Sequence, residues 1–188
     1  MPTPAPRRVR ATAAAMDLLR RLRDRHGPLM LHQSGGCCDG SAPMCYPEGE
    51  FLVGDRDVLL GVLDLTLRAD EIKSSPPDPE HVVPVWISGS QFAAWQHTQL
   101  VLDAVPGRGA GFSLEAPEGF RFLSRARVFD LDERTALAAA ETITGALWES
   151  GRRPSVVAAE PQVVVEASDA CPVASTASLG ENQTSDTK

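Results

Sequence analysis

The residue types best suited to chemistry crowd into one short stretch of this chain. LHQSGGCCDGSAPMC, Leu31 to Cys45, carries Cys37, Cys38 and Cys45, three of the four cysteines in the 188-residue sequence. His32 stands at its start and Asp39 directly follows the cysteine pair. Zn binds thiolate and imidazole, and iron–sulfur clusters bind thiolate. A metal site here would use His32, Cys37, Cys38 and Cys45, with Asp39 as an oxygen ligand and His97 as a donor from a distant strand. Zn or Fe suits that set ahead of Cu. The spacing is not Cys-x-x-Cys, and consecutive side chains of an extended backbone point to opposite sides. Cys37 and Cys38 can therefore share one ion only where the chain turns sharply between them, which Gly35, Gly36 and Gly40 permit.

The same residues can work without a metal. A thiolate is a nucleophile, and a neighbouring thiol resolves a sulfenic acid or a mixed disulfide. In such an enzyme a cysteine would attack, with His97 or Glu115 as base. A third use is inert: Cys is a common small buried residue, and Gly, Asp, Ser and Pro build turns. Metal binding, thiol chemistry and a structural loop all stay open. Glu115, in GFSLEAPEGF, could equally cap the turn at Pro117–Gly119. His26 and His81 read as surface histidines, and Cys171 as an incidental thiol. The chain has no Gly-rich phosphate loop opening a helix, no Gly-x-Ser-x-Gly and no His-Glu-x-x-His.

A formal charge of -7 argues against nucleic acid, because a phosphate-binding face needs an excess of Lys and Arg. No run approaches the ~20 apolar residues that span a bilayer. The basic N-terminal segment is interrupted by charges before a secretory apolar core can form. A cytoplasmic protein is expected, with no membrane association and an oligomeric state left open. In a reducing compartment a permanent disulfide is the least favoured use of the cysteines.

The elements that must position these residues read as one α+β domain over 9–129. An N-terminal amphipathic helix is expected to pack on a mainly antiparallel β-sheet or small β-barrel. Residues 1–8 are expected to be disordered. Val9, Ala13, Met16, Leu19 and Leu22 recur at helical intervals as far as the Gly27-Pro28 stop. PLMLHQS reads as a strand ending at His32, and the glycines and prolines of the Cys-rich loop 35–49 argue against regular structure. VLLGVLDL is a buried strand or helix segment. VVPVWIS is a strand in which Pro84 suggests an edge or a bulge. TQLVLDAV, GFSLEA and FRFLSRARVF are further strands; in the last, Phe120, Phe122, Ser124, Ala126 and Val128 share one face. Residues 130–150 read as a possible helix capped by an Asp, and 151–188 as a disordered tail.

LHQSGGCCDGSAPMC, taken with HTQLVLDAVPGRGAGFSLEAPEGFRFLSRARVF, resembles a bacterial family known only as a domain of unknown function, DUF779, over about Leu29 to Phe129. Members of that family are often encoded beside aldehyde or alcohol dehydrogenases. The resemblance thus implies an uncharacterised accessory protein whose Cys/His loop binds a metal or presents redox-active thiols in support of such a dehydrogenase. The alternatives are a small thiol- or metal-dependent enzyme acting on an aldehyde or its adduct, and a structural domain with inert cysteines.

Overall fold

The computed structural model describes residues 5–35, 42–73, 75–109, 111–154 and 160–165. Cys37, Cys38, Asp39 and Cys171 lie outside the described residues.

The helix does not begin at Val9. Val9–Thr12 forms a strand, β1, and α1 runs over Ala13–His26. The junction is set by Thr12, whose Oγ1 accepts from the Ala15 amide at 3.1 Å and so satisfies one orphan donor of the first turn. Gly27, at φ 78, ends the helix, a conformation open to glycine and strained for other residues. Ala15, Met16, Leu18, Leu19 and Leu22 are buried in the main core. Burying a Leu or Met side chain is worth roughly 1.5–3 kcal/mol, so packing rather than the cap dominates the stability of α1.

The remaining strands are β2 (Leu29–Gln33), β3 (Met44–Pro47), β4 (Val58–Asp64), β5 (Val82–Ile87), β6 (Thr98–Pro106), β7 (Phe120–Val128) and β8 (Val163–Val164). They form two four-stranded sheets, β7-β6-β1-β8 and β3-β2-β5-β4. The expected small barrel is therefore not what forms: each sheet keeps two edges among the described residues. Antiparallel pairing joins β2 to β3, β4 to β5 and β6 to β7 and carries most of the paired residues, as expected, while the remaining pairings are parallel. β1 runs parallel to β6 and β8, and β2 runs parallel to β5. Residue patterning tells which face of a strand is buried, while the partner is chosen by long crossovers that patterning does not encode.

One core joins both sheets and α1. Leu31, Leu63, Val83 and Val85 of the second sheet cluster with Ala11, Leu100, Leu102, Phe122 and Val163 of the first. A Cβ on Gly61 of β4 would lie 2.8 Å from Val9 Cγ1 of β1, so glycine is what admits this close approach. A second cluster, Met30, Leu59, Trp86 and Ile143, covers the other face of the second sheet.

Several local expectations are corrected. β3 lies inside the Cys-rich loop, with Pro47 at its end, where a missing N–H does not interrupt the ladder. Pro84 sits in a central strand, beside β4, but pairing with β2 begins only at Val85. GFSLEA is not a strand: Ala116–Glu118 is a 3₁₀ turn. On β7, Phe122 is buried, yet Ala126 and Val128 are exposed while Arg125 and Arg127 are half-buried. Those arginines are drawn inward by ion pairs to Asp103 and Glu133.

The segment 130–150 holds two short helices, α3 (Leu131–Ala139) and α4 (Gly145–Glu149). Asp130 and Glu133 close a capping box on α3. Within the stretch read as a disordered tail, Gln162 is buried and β8 pairs with β1. Near the N-terminus, the Arg7 amide donates to Glu160 Oε1 at 2.9 Å. Among the described residues no helix is long and apolar enough to cross a membrane.

Candidate functional site

The β2–β3 pairing sorts the sequence-selected residues onto opposite faces of one sheet. Leu31 stands opposite Cys45, and His32 opposite Met44. Side chains alternate along a strand. Leu31 and Cys45 accordingly enter the main core, while His32 stacks on Phe51 with ring centroids 4.3 Å apart. Strand alternation thus separates Cys45 from His32.

Cys45 has become a core residue, fully buried. Burial pushes its thiol well above the usual range, and the nearby Glu115 carboxylate pushes it in the same direction. Thiolate is the reactive form, so Cys45 is a poor nucleophile and a poor ligand where it stands. Its backbone does the positional work. The Cys45 amide donates to Ser113 Oγ at 2.8 Å, and Cys45 O accepts from the Leu114 amide at 3.1 Å. The Ser113 hydroxyl in turn donates to Glu115 Oε2. Glu115 is 2 % exposed. Burial raises its pKa, with the Ser113 hydrogen bond working against the rise. Glu115 thus fastens the turn before β7 to β3.

His32 is 3 % exposed and both ring nitrogens are engaged. Nε2 lies 2.9 Å from Asp57 Oδ2, and Nδ1 lies 2.8 Å from Ser34 Oγ. An ionised carboxylate only accepts, so Nε2 carries the proton and Nδ1 offers its lone pair to the Ser34 hydroxyl. Burial lowers the His32 pKa, and the bond and charge of Asp57 only partly oppose it. Burial therefore favours the neutral ring, with the Nδ1 lone pair directed at the Ser34 hydroxyl. Asp57 is itself held by the turn Gly54–Asp57: its Oδ2 accepts from the Gly54 amide at 2.7 Å, and its amide donates to Gly54 O at 2.9 Å.

His97 is exposed at the head of β6, and its carbonyl accepts from the Phe129 amide at 3.0 Å. No contact among the described residues joins it to His32 or Cys45. The described residues also hold no group of three or more His, Cys, Asp or Glu arranged for a metal ion. A metal could engage His32 only at Nδ1, in place of Ser34.

The functional partners of His32 are not among the residues that the sequence singles out. Ser34 follows His32 by two positions, which on a strand places both on one face, and that spacing is a signal visible in the sequence. Asp57 is brought in by a turn twenty-five residues downstream, and nothing local announces it. A cavity of about 830 Å³ borders Leu59–Val62, Trp148 and Arg153, and none of the sequence-selected residues lines it.

Residues 18–128 match the model of a family described as a domain of unknown function (DUF779). The match opens inside α1 and closes with β7, leaving β1, α3, α4 and β8 outside it. No curated protein and no solved structure matches the chain.

Proposed function

The chain belongs to the DUF779 family, and we propose that this member is an accessory protein presenting the thiols of Cys37 and Cys38 beside a carboxylate-oriented imidazole, His32, in support of an aldehyde or alcohol dehydrogenase. The observation that carries this reading is the pairing of buried His32 with half-buried Asp57 at the root of the β2–β3 connection, with Nδ1 turned toward Ser34. A neutral imidazole next to a thiol is the usual means of drawing off its proton. Burial of Cys45 within the core leaves the thiol chemistry to the adjacent pair. Aldehydes add reversibly to thiols, which suits the proposed partner.

Site-resolved alkylation with iodoacetamide across pH tests it. Cys37 or Cys38 should titrate below the reference ~8.5, and Asp57→Asn should raise that midpoint. Titration of both near ~8.5 in the wild type refutes the proposal.

One observation favours a second reading. Metal-binding histidines usually donate their other ring N–H to a carboxylate, as His32 does to Asp57. Zn or Fe would then take His32 Nδ1 with Cys37 and Cys38, Asp39 completing the set. Stoichiometric Zn or Fe in protein purified without an affinity tag, lost in Cys37→Ser/Cys38→Ser, is the expected result. Sub-stoichiometric metal in both proteins excludes it.

A further inference from the structure

Strand β2 turns His32 to one face of its sheet and Gln33 to the other. The Gln33 carbonyl accepts from the Ser88 amide at 2.9 Å. Its side-chain Oε1 accepts from Ser124 Oγ of β7 at 3.0 Å, a bond that joins the two sheets. Gln33 is 6 % exposed, and its Nε2 has no hydrogen-bond partner among the described residues. Ser88 caps a short helix, α2 (Gly89–Trp95), with its Oγ accepting from the Gln91 amide at 3.4 Å. Arg8 holds α2 from the other side: its guanidinium lies 5.0 Å from the Phe92 ring centroid and donates to Gln96 O at 3.2 Å. Gln91 Oε1 is buried, also without a hydrogen-bond partner among the described residues. A Cβ on Gly35 would meet Gln91 Cγ, Cδ and Nε2 at 3.1, 3.2 and 3.4 Å. The amide nitrogen therefore faces Gly35, and Oε1 turns from it.

Both amides line one cavity of about 280 Å³, walled by Leu60, Ile87, Phe92, Trp95 and Leu100. A bulge delivers Leu60: Leu59 and Gly61 pair with the adjacent Trp86 and Val85, and Leu60 between them has no partner on β5. Bulges re-aim side chains beside sites. The cavity opens past described residues, since Trp95 is 49 % exposed and Ser124 and Ala126 of β7 are exposed. Apolar walls with a few convergent polar groups are the usual make-up of a small-molecule site. The volume falls just below the roughly 300–1,000 Å³ of pockets for drug-sized ligands, so the ligand is smaller. The two amides set its polar head. A carboxylate only accepts and is disfavoured by Gln91 Oε1; an ammonium only donates and is disfavoured by Gln33 Nε2. Arg125 is the one charged residue among those lining the cavity, and it pairs with Asp103 Oδ2 at 2.8 Å. A hydroxyl both donates and accepts, so it serves both amides whichever way each is turned. An amide oxygen buried unpaired is costly, and a bound hydroxyl would remove that cost.

We propose that this cavity is a binding site for a small uncharged alcohol, its hydroxyl donating to Gln91 Oε1 and accepting from Gln33 Nε2 and its apolar body lying against Phe92, Trp95 and Leu100. The site is reversible and involves no covalent step. It goes beyond the thiol reading and uses none of its residues, because strand alternation puts Gln33 and His32 on opposite faces of the sheet.

The test is titration of the full-length protein with benzyl alcohol, and with toluene as the partner lacking the hydroxyl, followed by NMR at the Trp95 indole and the Gln33 and Gln91 side-chain amides. Saturable shifts at these groups are expected with benzyl alcohol. Gln91→Met keeps the side-chain length and helix propensity while removing the amide. It should weaken benzyl alcohol roughly threefold or more and bind toluene no more weakly than the wild type does. Ala126→Trp, at an exposed strand position where a large aromatic side chain is tolerated, should abolish binding of both. Cys37→Ser/Cys38→Ser should bind as the wild type does, which separates failure here from failure of the thiol proposal. In urea denaturation Gln91→Met should be at least as stable as the wild type, because it deletes an unpaired buried oxygen. Absence of saturable shifts up to the solubility of benzyl alcohol overturns the proposal. So does equal affinity for benzyl alcohol in the wild type and Gln91→Met, or a clear loss of stability in that variant, which would mean that the amide is already satisfied.

Discussion

Cys45 separates the structural cysteine from the chemical ones, and its protection can be worked out from its surroundings. The residue is fully buried in the core shared by both sheets, and its amide and carbonyl are both bonded to the Ser113–Leu114 segment. An unperturbed thiol of pKa ~8.5 is about one-tenth thiolate at roughly pH 7.5. Burial and the Glu115 carboxylate push Cys45 far above that, and each further step of one in pKa removes another factor of ten. Reagent must therefore reach an unfolded or opened chain. For a domain stable by at least ~5 kcal/mol, the unfolded fraction is at most about one in several thousand. Iodoacetamide should thus modify Cys45 in the native protein at least ~10³-fold more slowly than in guanidinium. Site-resolved mass spectrometry after timed quenching measures both rates. Native modification of Cys45 within tenfold of the denatured rate would refute the argument from burial and reopen Cys45 as a working thiol. Cys45→Ala deletes one buried heavy atom, and the expected loss of stability is about 0.5–1.5 kcal/mol by analogy with Ile→Val.

The other predictions concern charge and close packing. Glu115 has its folded pKa raised by burial, so the stability it contributes is complete below the unfolded value and is lost as pH rises through the folded value. Thermal melts of wild type and Glu115→Gln should show wild type losing ground as pH increases from ~4. Asp103 behaves oppositely: burial would raise its pKa, but bonds from Thr12, Arg125 and the Ala104 amide together hold it low. Asp103→Asn should cost roughly 1.5–3 kcal/mol near neutral pH, a cost that disappears in denaturant titrations as pH falls through the folded pKa. Gly145→Ala would put a Cβ 2.2 Å from Gly54 O. Overpacking costs about 1–3 kcal/mol; a loss at the upper end is expected in chemical denaturation, because the backbone of the Gly54–Asp57 turn must shift to make room.

How much was legible in the sequence follows the range over which each signal acts. The apolar spacing of Met16, Leu19 and Leu22, the Gly27 stop, the Asp130 cap and the strand carrying His32 are local, and each appears in the fold. The family was legible too, because its motifs are contiguous runs of residues. The long-range pairings were not. Parallel partnership of β1 with β6 and of β2 with β5, and the return of Val163–Val164 to β1, depend on crossovers that hydrophobic pattern does not specify.

The candidate site divides along the same line. Sequence alone determined that Leu31–Cys45 concentrates the reactive side chains of this chain. Tertiary structure decided which described residues can use that chemistry. Cys45 and His32 are near in sequence, but alternation along paired strands sent one into the core and the other to the opposite face. Desolvation then disfavoured the thiolate of Cys45, while the distant Gly54–Asp57 turn supplied the carboxylate that fixes the proton on His32 Nε2 and leaves the Nδ1 lone pair to accept a hydrogen bond.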